Sequence, residues 1–372
     1  MSEQKISNGS SSLPIAPSMD VALVSLSVPV TDHAATHRLI TIACIATLIG
    51  IAGGITAKAF LSLIAIISNF TFFGHFSLIL APINTEHVGL GIFVIPVIGA
   101  LIIGLMARFG SSAIRGHGIP EMMENVLYNR SKISPKLMFL KPASAAIAIG
   151  TGGPFGAEGP IIATGGALGS VIGTLLRVTA DERKVLLAAG AAAGMSATFG
   201  APVSAVLLSI ELLLFDYRTR SIIPVAFAAT AAAVVRALII AKGPVFPMAT
   251  VMDPAAMALV FYVVLGALIG LLAVLITKSI YVIEDLFERL PIHWMWWPAL
   301  GAIVVGIVGY IEPRALGVGY EQIEAILSGN LVGWSLLTLV IFKFIAWSIY
   351  LGSGTSGGTL APLFIIGGGW EH

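Results

Sequence analysis

Residues 150–160 read Gly-Thr-Gly-Gly-Pro-Phe-Gly-Ala-Glu-Gly-Pro, a glycine-rich segment with a single carboxylate, Glu158. The apolar residues 143–149 and 161–176 on either side are typical of membrane helices. Glycines at this density break a helix, and a proline such as Pro160 suits the first turn of a new one. The segment therefore predicts a helix that begins near Glu158, with its free N–H groups directed into the break.

A helix start of this kind can bind an anion, because unpaired N–H groups and the positive end of the helix dipole both favour negative charge. Irregular backbone at membrane depth is tolerated only where protein buries it or where it lines a wet cavity. A carboxylate inside a membrane is costly and by default marks a functional site. The alternative is a glycine-rich packing seam in which Glu158 is hydrogen-bonded and inert.

The composition of the whole chain is that of a multi-pass membrane protein. Of its 372 residues, 57% are hydrophobic and only 10% are charged, and the mean hydropathy is +0.97. Ordinary soluble domains carry roughly 25% charged residues. Many windows hold the roughly 20 apolar residues that a spanning helix needs, whereas a β-barrel would show short alternating segments. We predict an all-α polytopic protein, located in a bacterial inner (plasma) membrane. The net charge of +1 gives no reason to expect a nucleic-acid partner.

The first 37 residues are predicted to form a cytoplasmic tail. They are serine-rich, and their short apolar run at 21–30 lacks the basic stretch of a signal peptide. Basic residues concentrate in loops near 130–141, 177–184 and 218–220, which the positive-inside rule also places in the cytoplasm. The predicted helices are 38–69, 92–109, 137–150, 160–176, 185–195, 202–216, 222–241, 257–286, 296–311, 331–351 and 361–369, with amphipathic helices after 118 and 319.

An internal repeat indicates two related halves, 38–241 and 257–372. Matched residues recur 201 or 202 positions apart over a long stretch, which glycine-rich composition alone would rarely produce. Paired broken helices in two halves are typical of inverted-repeat transporters with a site near the membrane midplane. The matched pairs are Pro96 with Pro298, Gly99 with Gly301, Gly104 with Gly306, Gly116 with Gly317, Gly118 with Gly319, Lys141 with Lys343, Gly152 with Gly354, Gly156 with Gly358, and Pro160 with Pro362.

The same register predicts that the second half is incomplete at its C-terminus. Residues 171–241 of the first half have no counterpart, because His372 corresponds to position 170. We therefore expect the 372 residues to be a fragment, with one wall of the central site open.

Three glycine-flanked breaks, each ending in a proline that can open a helix, carry the functional prediction. Three helix N-termini that meet at mid-membrane would hold a dehydrated monovalent anion through main-chain N–H groups. They would do so without a full positive charge, which would bind too tightly for turnover. The breaks are Gly116-His117-Gly118-Ile119-Pro120, Gly156-Ala157-Glu158-Gly159-Pro160, and Gly358-Thr359-Leu360-Ala361-Pro362.

These motifs resemble the CLC family of chloride channels and proton-coupled chloride transporters. The family pattern is Gly-Ser-Gly-Ile-Pro, then Gly-Lys/Arg-Glu-Gly-Pro, then Gly-x-Phe-x-Pro, in this order, and the similarity extends over about 38–369. The resemblance implies an inverted-repeat CLC-like fold with many tilted and broken helices. It also implies a protein that is not an enzyme and needs no cofactor, with chloride as the transported ion, protons as a possible second one, membrane lipid around it, and a homodimer for the full-length protein.

By this resemblance, Glu158 is the gate, whose carboxylate occupies an anion position and moves away when it is protonated or displaced. His117 takes the place of the family's serine, whose hydroxyl touches the central ion. The alternative for His117 is a structural histidine bound to a neighbouring carbonyl. The resemblance implies that the other residues of the three breaks bind the anion: Gly116, Gly118, Ile119, Pro120, Gly156, Ala157, Gly159, Pro160, Gly358, Thr359, Leu360, Ala361 and Pro362.

Several positions depart from the family pattern. Ala157 removes the basic side chain that usually precedes the glutamate, and Leu360 replaces the phenylalanine. The internal proton-relay glutamate of the transporters would fall at Leu212, directly after Glu211. The favoured prediction is proton-coupled chloride exchange. The alternative is a passive voltage- or pH-gated chloride channel on the same scaffold, which Leu212 favours.

Two further expectations concern the end of the chain. The family's pore tyrosine and much of its dimer interface would lie beyond residue 372, so we expect neither selective chloride flux nor a stable dimer from this chain alone. Gly354-Thr355-Ser356-Gly357 also fits a nucleophile pattern, which makes an intramembrane serine protease a remote alternative. The only histidine after Ser356 is His372.

Overall fold

The computed structural model describes residues 32–83, 85, 88–116, 118–243, 245–247 and 256–369, with backbone alone at 32–36 and 256. This part of the chain is helical and contains no β-strand, only one isolated bridge. Residues 32–41 are helical and belong to a small N-terminal unit, and Ile42–His372 form the unit discussed below. The α-helices are α1 (Asp32–Phe73), α2 (Ile95–Phe109), α3 (Ile119–Tyr128), α4 (Leu137–Gly150), α5 (Glu158–Leu175), α6 (Ala180–Phe199), α7 (Pro202–Ser209), α8 (Thr219–Ile239), α9 (Ala256–Glu288), α10 (Trp297–Ile311), α11 (Tyr320–Leu327), α12 (Gly333–Gly352) and α13 (Leu360–Gly368).

Six helices in the described residues are long and apolar enough to cross a membrane, and this confirms a multi-pass integral membrane protein. One of them, Met257–Glu288, has no buried residue in its most apolar window, so it lies on the outside of the protein. The candidate spans are His37–Phe73, Gly89–Phe109, Thr219–Ile239, Met257–Glu288, Trp294–Ile311 and Gly333–Gly352.

Helices α5 and α6 form the centre of the core, and glycines bring their backbones into direct contact. A Cβ on Gly165 would lie 2.2 Å from the Gly190 carbonyl oxygen, and a Cβ on Gly190 would lie 2.0 Å from the Gly165 oxygen. Small residues of this kind let membrane helices approach closely. The break that precedes Glu158 is therefore attached to a pair of helices whose backbones are in direct contact.

Helix α6 is longer than the predicted 185–195 because both of its ends are capped. The Glu182 N–H donates to the Thr179 hydroxyl (3.2 Å), and the Thr179 N–H donates to the Glu182 carboxylate (2.9 Å). This capping box satisfies two free N–H groups at the start of the helix. Gly200 ends the helix in the left-handed conformation, with φ of 66°.

Two other boundaries differ from the sequence prediction. Helix α1 begins at Asp32, so the last residues of the predicted 1–37 tail are helical, and residues 1–31 lie outside the described part. The predicted helix 202–216 becomes α7 followed by a π-helical turn, Ile210–Leu214. The Lys184 ammonium donates to the Leu214 carbonyl, and Phe215 adopts φ of 55°, so the chain turns there.

Matched glycines of the two halves share an unusual backbone conformation. Gly118 and Gly319 both have φ of 81°, and Gly152 and Gly354 have φ of 101° and 79°. Glycine adopts these values without steric cost. The same turns therefore precede corresponding helices in both halves, although the boundaries of the halves stay a prediction.

Candidate functional site

Helix α5 begins at Glu158, as the sequence predicts, with Ala157 as its N-cap and Pro160 in its first turn. The Glu158 side chain is only 1% exposed. Its Oε1 accepts a hydrogen bond from the Tyr320 hydroxyl at 2.8 Å. Glu158 is therefore a buried carboxylate at a helix N-terminus, and a hydroxyl from the second half of the chain donates to it.

The second carboxylate oxygen of Glu158, Oε2, lies over Gly156, so close that a Cβ there would be 1.9 Å away. The N–H groups of Glu158 itself and of Ala361 face the carboxylate, but neither reaches hydrogen-bond geometry with Oε2 in the described part of the chain. Because Ala361 belongs to the first turn of α13, the carboxylate lies where two helix N-termini meet.

Gly156 and Gly358 join the second and third breaks directly. The Gly156 N–H donates to the Gly358 carbonyl (2.9 Å), and the Gly358 N–H donates to the Gly156 carbonyl (3.0 Å). A Cβ on Gly358 would lie 2.4 Å from the Gly156 oxygen, so only glycine fits this contact. Thr359 is the N-cap of α13 and, like Leu360, is half-buried, whereas Ala361 and Pro362 are buried.

The first break meets the second at Gly118 and Gly159. Gly118 is the N-cap of α3, and a Cβ on it would lie 2.6 Å from the Gly159 carbonyl oxygen. Ile119 is half-buried and Pro120 is exposed. His117 lies outside the described residues. The structure thus brings the three sequence-predicted breaks together around Glu158, and Gly159 lies close to both Gly118 and Gly358.

A buried lysine supports each of the turns that precede α3 and α11. Lys343 is fully buried, and its Nζ donates to the carbonyls of Ala315 (3.0 Å) and Gly317 (2.8 Å). Lys141 matches it in the first half and donates to the Gly116 carbonyl at 3.2 Å. The matched lysines of the repeat therefore perform matched structural roles.

The two lysines differ in their charge partners. Lys141 forms an ion pair with the Glu121 carboxylate at 2.5 Å. In the repeat register, the position of Glu121 is taken by Gln322, a neutral residue. The described residues show no ion pair for Lys343, and the carboxylate that interacts with it electrostatically is that of Glu158. Lys343 thus places a buried amine in electrostatic interaction with the Glu158 carboxylate, whereas Ala157 carries no basic side chain.

Sequence reasoning missed Tyr320, although one signal for it was available. Gly317-Val318-Gly319 was matched to the first break, and the repeat therefore predicts a fourth helix start directed at the same place. Tyr320 is the first residue of that helix, α11. Its contact with Glu158 joins residues 162 positions apart, which no local pattern could indicate.

The structure also locates the serine of the protease alternative and the Glu211-Leu212 pair. Ser356, the nucleophile of the protease alternative, is fully buried, and in the described part its hydroxyl has no hydrogen-bond partner. His372 lies outside the described residues. Glu211 is exposed on the π-helical turn, and Leu212 beside it is half-buried.

Comparison with known proteins gives the family. Residues 98–370 match the family described as "Voltage gated chloride channel". The chain belongs to this family, the CLC family. Membership of a family of channels and transporters argues against the serine protease alternative.

Curated CLC relatives include proteins named H(+)/Cl(-) exchange transporter ClcA from Salmonella paratyphi B and Salmonella newport. Each is 28% identical over 282 residues, which cover 74% of this chain and 60% of the relative. The chain therefore spans about 60% of the length of these relatives.

Solved structures of CLC proteins share the fold. A slow cyanobacterial Cl−/H+ antiporter superposes with a TM-score of 0.76 at 22% identity, covering 87% of this chain and 76% of that one. A CLC-type fluoride/proton antiporter gives 0.76 at 18% identity, covering 89% and 80%. A eukaryotic CLC transporter gives 0.71 at 23% identity, covering 88% and 58%. These matches confirm the predicted all-helical, inverted-repeat CLC fold.

Proposed function

We propose that this CLC protein moves chloride across the membrane by proton-coupled exchange, through a pore that Glu158 gates. The observation that carries the proposal is the buried Glu158 carboxylate at the meeting point of the α5 and α13 N-termini. Isolated buried carboxylates are costly, and they are retained where their charge or protonation is used. The names of the curated relatives support chloride and protons as the exchanged ions.

The carboxylate occupies the kind of position that a chloride ion would take. Helix N-termini favour negative charge through free N–H groups and the helix dipole. The carboxylate and an anion cannot occupy this binding position together, because like charges at close range repel. Protonation makes Glu158 neutral and lets it leave, and an anion then enters. Glu158, which carries the proton, and chloride occupy the same binding position in turn. This alternation couples the movement of protons to the movement of chloride.

Main-chain N–H groups of the three breaks are the proposed anion ligands. The residues of the second and third breaks, Gly156 through Pro160 and Gly358 through Pro362, form the proposed anion site, and the N–H groups of Glu158 and Ala361 face the carboxylate. The N–H groups of Gly156 and Gly358 are already paired with each other and the two prolines have none, so these four residues shape the site without donating to the anion. The first break contributes through Gly118, which contacts Gly159. We also propose that His117 faces the anion, in place of the family's serine. Such a pore needs no cofactor. A homodimer in lipid is proposed for the full-length protein.

Lys343 is proposed to set the electrostatic balance of the pore. It is buried, its described contacts are with carbonyls, and it interacts electrostatically with Glu158. In its protonated form, Lys343 raises anion occupancy without contacting the ion, because the low-dielectric interior screens charges weakly. In this form it compensates for the missing basic side chain at Ala157.

A passive chloride channel is the second candidate function, and Leu212 favours it. An apolar side chain at this position cannot relay a proton. Simultaneous recording of chloride flux and pH in liposomes that contain the full-length protein separates the two candidates. An outward chloride gradient should drive protons uphill into the vesicles if exchange occurs. Chloride flux with no proton movement would instead establish the channel.

A further inference from the structure

We infer that Tyr320 is a positioning residue that latches the Glu158 carboxylate in the closed position and thereby sets the anion affinity of the pore. The inference rests on the proposed gating role of Glu158. It assigns a function to a contact between the two halves that the three glycine-flanked breaks do not include.

The contact is a hydrogen bond from a phenol hydroxyl to an oxygen of the Glu158 carboxyl group. The Tyr320 hydroxyl lies 2.8 Å from Glu158 Oε1, and among the described residues it is the side-chain donor that reaches this carboxylate with hydrogen-bond geometry. Hydrogen bonds with one charged partner are stronger than neutral ones. Within the part of the chain that the structure describes, Oε2 has no hydrogen-bond partner. The Tyr320 hydroxyl therefore adds to what the facing N–H groups of Glu158 and Ala361 provide for the carboxylate in this position.

The main chain that carries Tyr320 is held in place by the turn that precedes α11. Gly319 is the N-cap of α11 with φ of 81°, and the preceding Gly317 carbonyl accepts from the Lys343 ammonium at 2.8 Å. Because Lys343 is fully buried, this turn cannot move without disturbing the core. The hydroxyl is thus presented to Glu158 from a rigid helix start.

The ring of Tyr320 is also held from the other side. The Phe246 ring packs against it edge-on, with centroids 6.0 Å apart and an interplanar angle of 70°. Edge-to-face packing of two aromatic rings is a favoured geometry. Phe246 lies in the segment after α8, so residues from distant parts of the chain orient the hydroxyl.

Release of the gate must break this hydrogen bond. Chloride competes with the carboxylate for the same binding position. If the hydroxyl makes occupation of this position by the carboxylate more favourable by a given factor, the apparent chloride affinity falls by the same factor. Hydrogen bonds to charged groups typically change such equilibria by about tenfold or more. Loss of the hydroxyl is therefore expected to raise the apparent chloride affinity about tenfold.

The test is a double-mutant cycle on the protein with all residues that its gene encodes. Tyr320→Phe keeps the ring and its packing on Phe246 but removes the donor, and Glu158→Ala removes the acceptor. Chloride binding is measured by calorimetry in detergent. Tyr310→Phe is the matched control, because the side chain of Tyr310 is 62% exposed and its ring packs on Phe93. It should bind chloride with unchanged affinity.

Tighter chloride binding in Tyr320→Phe, with no further effect of this change in the Glu158→Ala background, supports the latch. An unchanged affinity in Tyr320→Phe, while Glu158→Ala binds chloride more tightly, would overturn the latch and leave the gate intact. An equal effect of Tyr320→Phe in both backgrounds would also overturn it. If Glu158→Ala itself leaves chloride binding unchanged, the proposed gate fails instead.

A second variant covers the case in which Tyr320→Phe does not fold. Phe246→Leu leaves the hydroxyl in place but removes the ring that holds Tyr320. It should shift chloride affinity in the same direction by a smaller factor, and only when Glu158 is present. No shift in folded Phe246→Leu protein would contradict the latch.

Discussion

Gly156 and Gly358, which occupy matched positions in the two halves, hydrogen-bond to each other in both directions, at 2.9 Å and 3.0 Å. The pairing is antiparallel. Two equivalent residues that exchange identical bonds in antiparallel orientation are related by a local two-fold axis, as an inverted repeat requires. The pair also fixes the N-termini of α5 and α13 on either side of the Glu158 carboxylate.

Gly358→Ala should disrupt this pairing. The added Cβ would lie 2.4 Å from the Gly156 oxygen and 3.1 Å from the Gly159 nitrogen, so the two helix starts must separate. Overpacking of this kind typically costs about 1–3 kcal/mol. We expect a lower melting temperature in detergent and weaker chloride binding. Gly367→Ala is the control in the same helix, because among the described residues no atom outside the helix's own backbone lies within 4 Å of a Cβ there. Equal melting temperatures and chloride affinities in both variants would show that the bridge is unimportant.

Lys141→Met should strongly destabilise the fold. It leaves the Glu121 carboxylate, now 2.5 Å from the Lys141 ammonium, without its counter-ion in the interior. Removal of one partner of a buried ion pair costs about 3–5 kcal/mol. The double variant Lys141→Met/Glu121→Gln should recover part of this loss, because no unpaired charge remains. Denaturant unfolding in detergent measures both, with the exposed Lys136→Met as control. A double variant no more stable than Lys141→Met would contradict the ion-pair explanation.

The sequence predicts the helix starts of this site well because their causes are local. Glycines end a helix and prolines favour the start of the next one within a few residues. For this reason α5 begins at Glu158 and α13 at Leu360, close to the predicted positions. The repeat likewise matches Lys141 with Lys343, because it compares residues by position without reference to contacts, but the burial of both lysines is seen only in the structure.

The contacts that complete the site depend on tertiary packing, and single-sequence patterns do not report them. The hydrogen bond from Tyr320 to Glu158 is one example. Another is the ring of Phe155, which stacks on Tyr350 at 5.1 Å and fills the space over Gly357, where a Cβ would be 2.2 Å from the ring. Phe155 and Gly357 occupy matched positions in the repeat. At this position the first half supplies a large ring and the second half supplies the space that the ring fills.

His117→Ser should change anion selectivity. The prediction rests on the sequence, because His117 lies outside the described residues. An imidazole N–H and a serine hydroxyl place a donor at different distances from a bound anion, and the imidazole also titrates near neutrality. We expect a changed chloride-to-nitrate flux ratio in liposomes. A ratio identical to that of the unaltered protein would show that His117 does not face the anion.

The most direct test of the gate is Glu158→Gln, with chloride flux and pH recorded simultaneously in liposomes. The amide mimics the protonated, neutral side chain and cannot carry a proton. The exposed Glu324→Gln is the control and should keep full coupling. Chloride flux that persists in Glu158→Gln while chloride-driven proton transport disappears is the predicted result. Unchanged proton transport per chloride in Glu158→Gln would contradict the assignment of Glu158 as the gate.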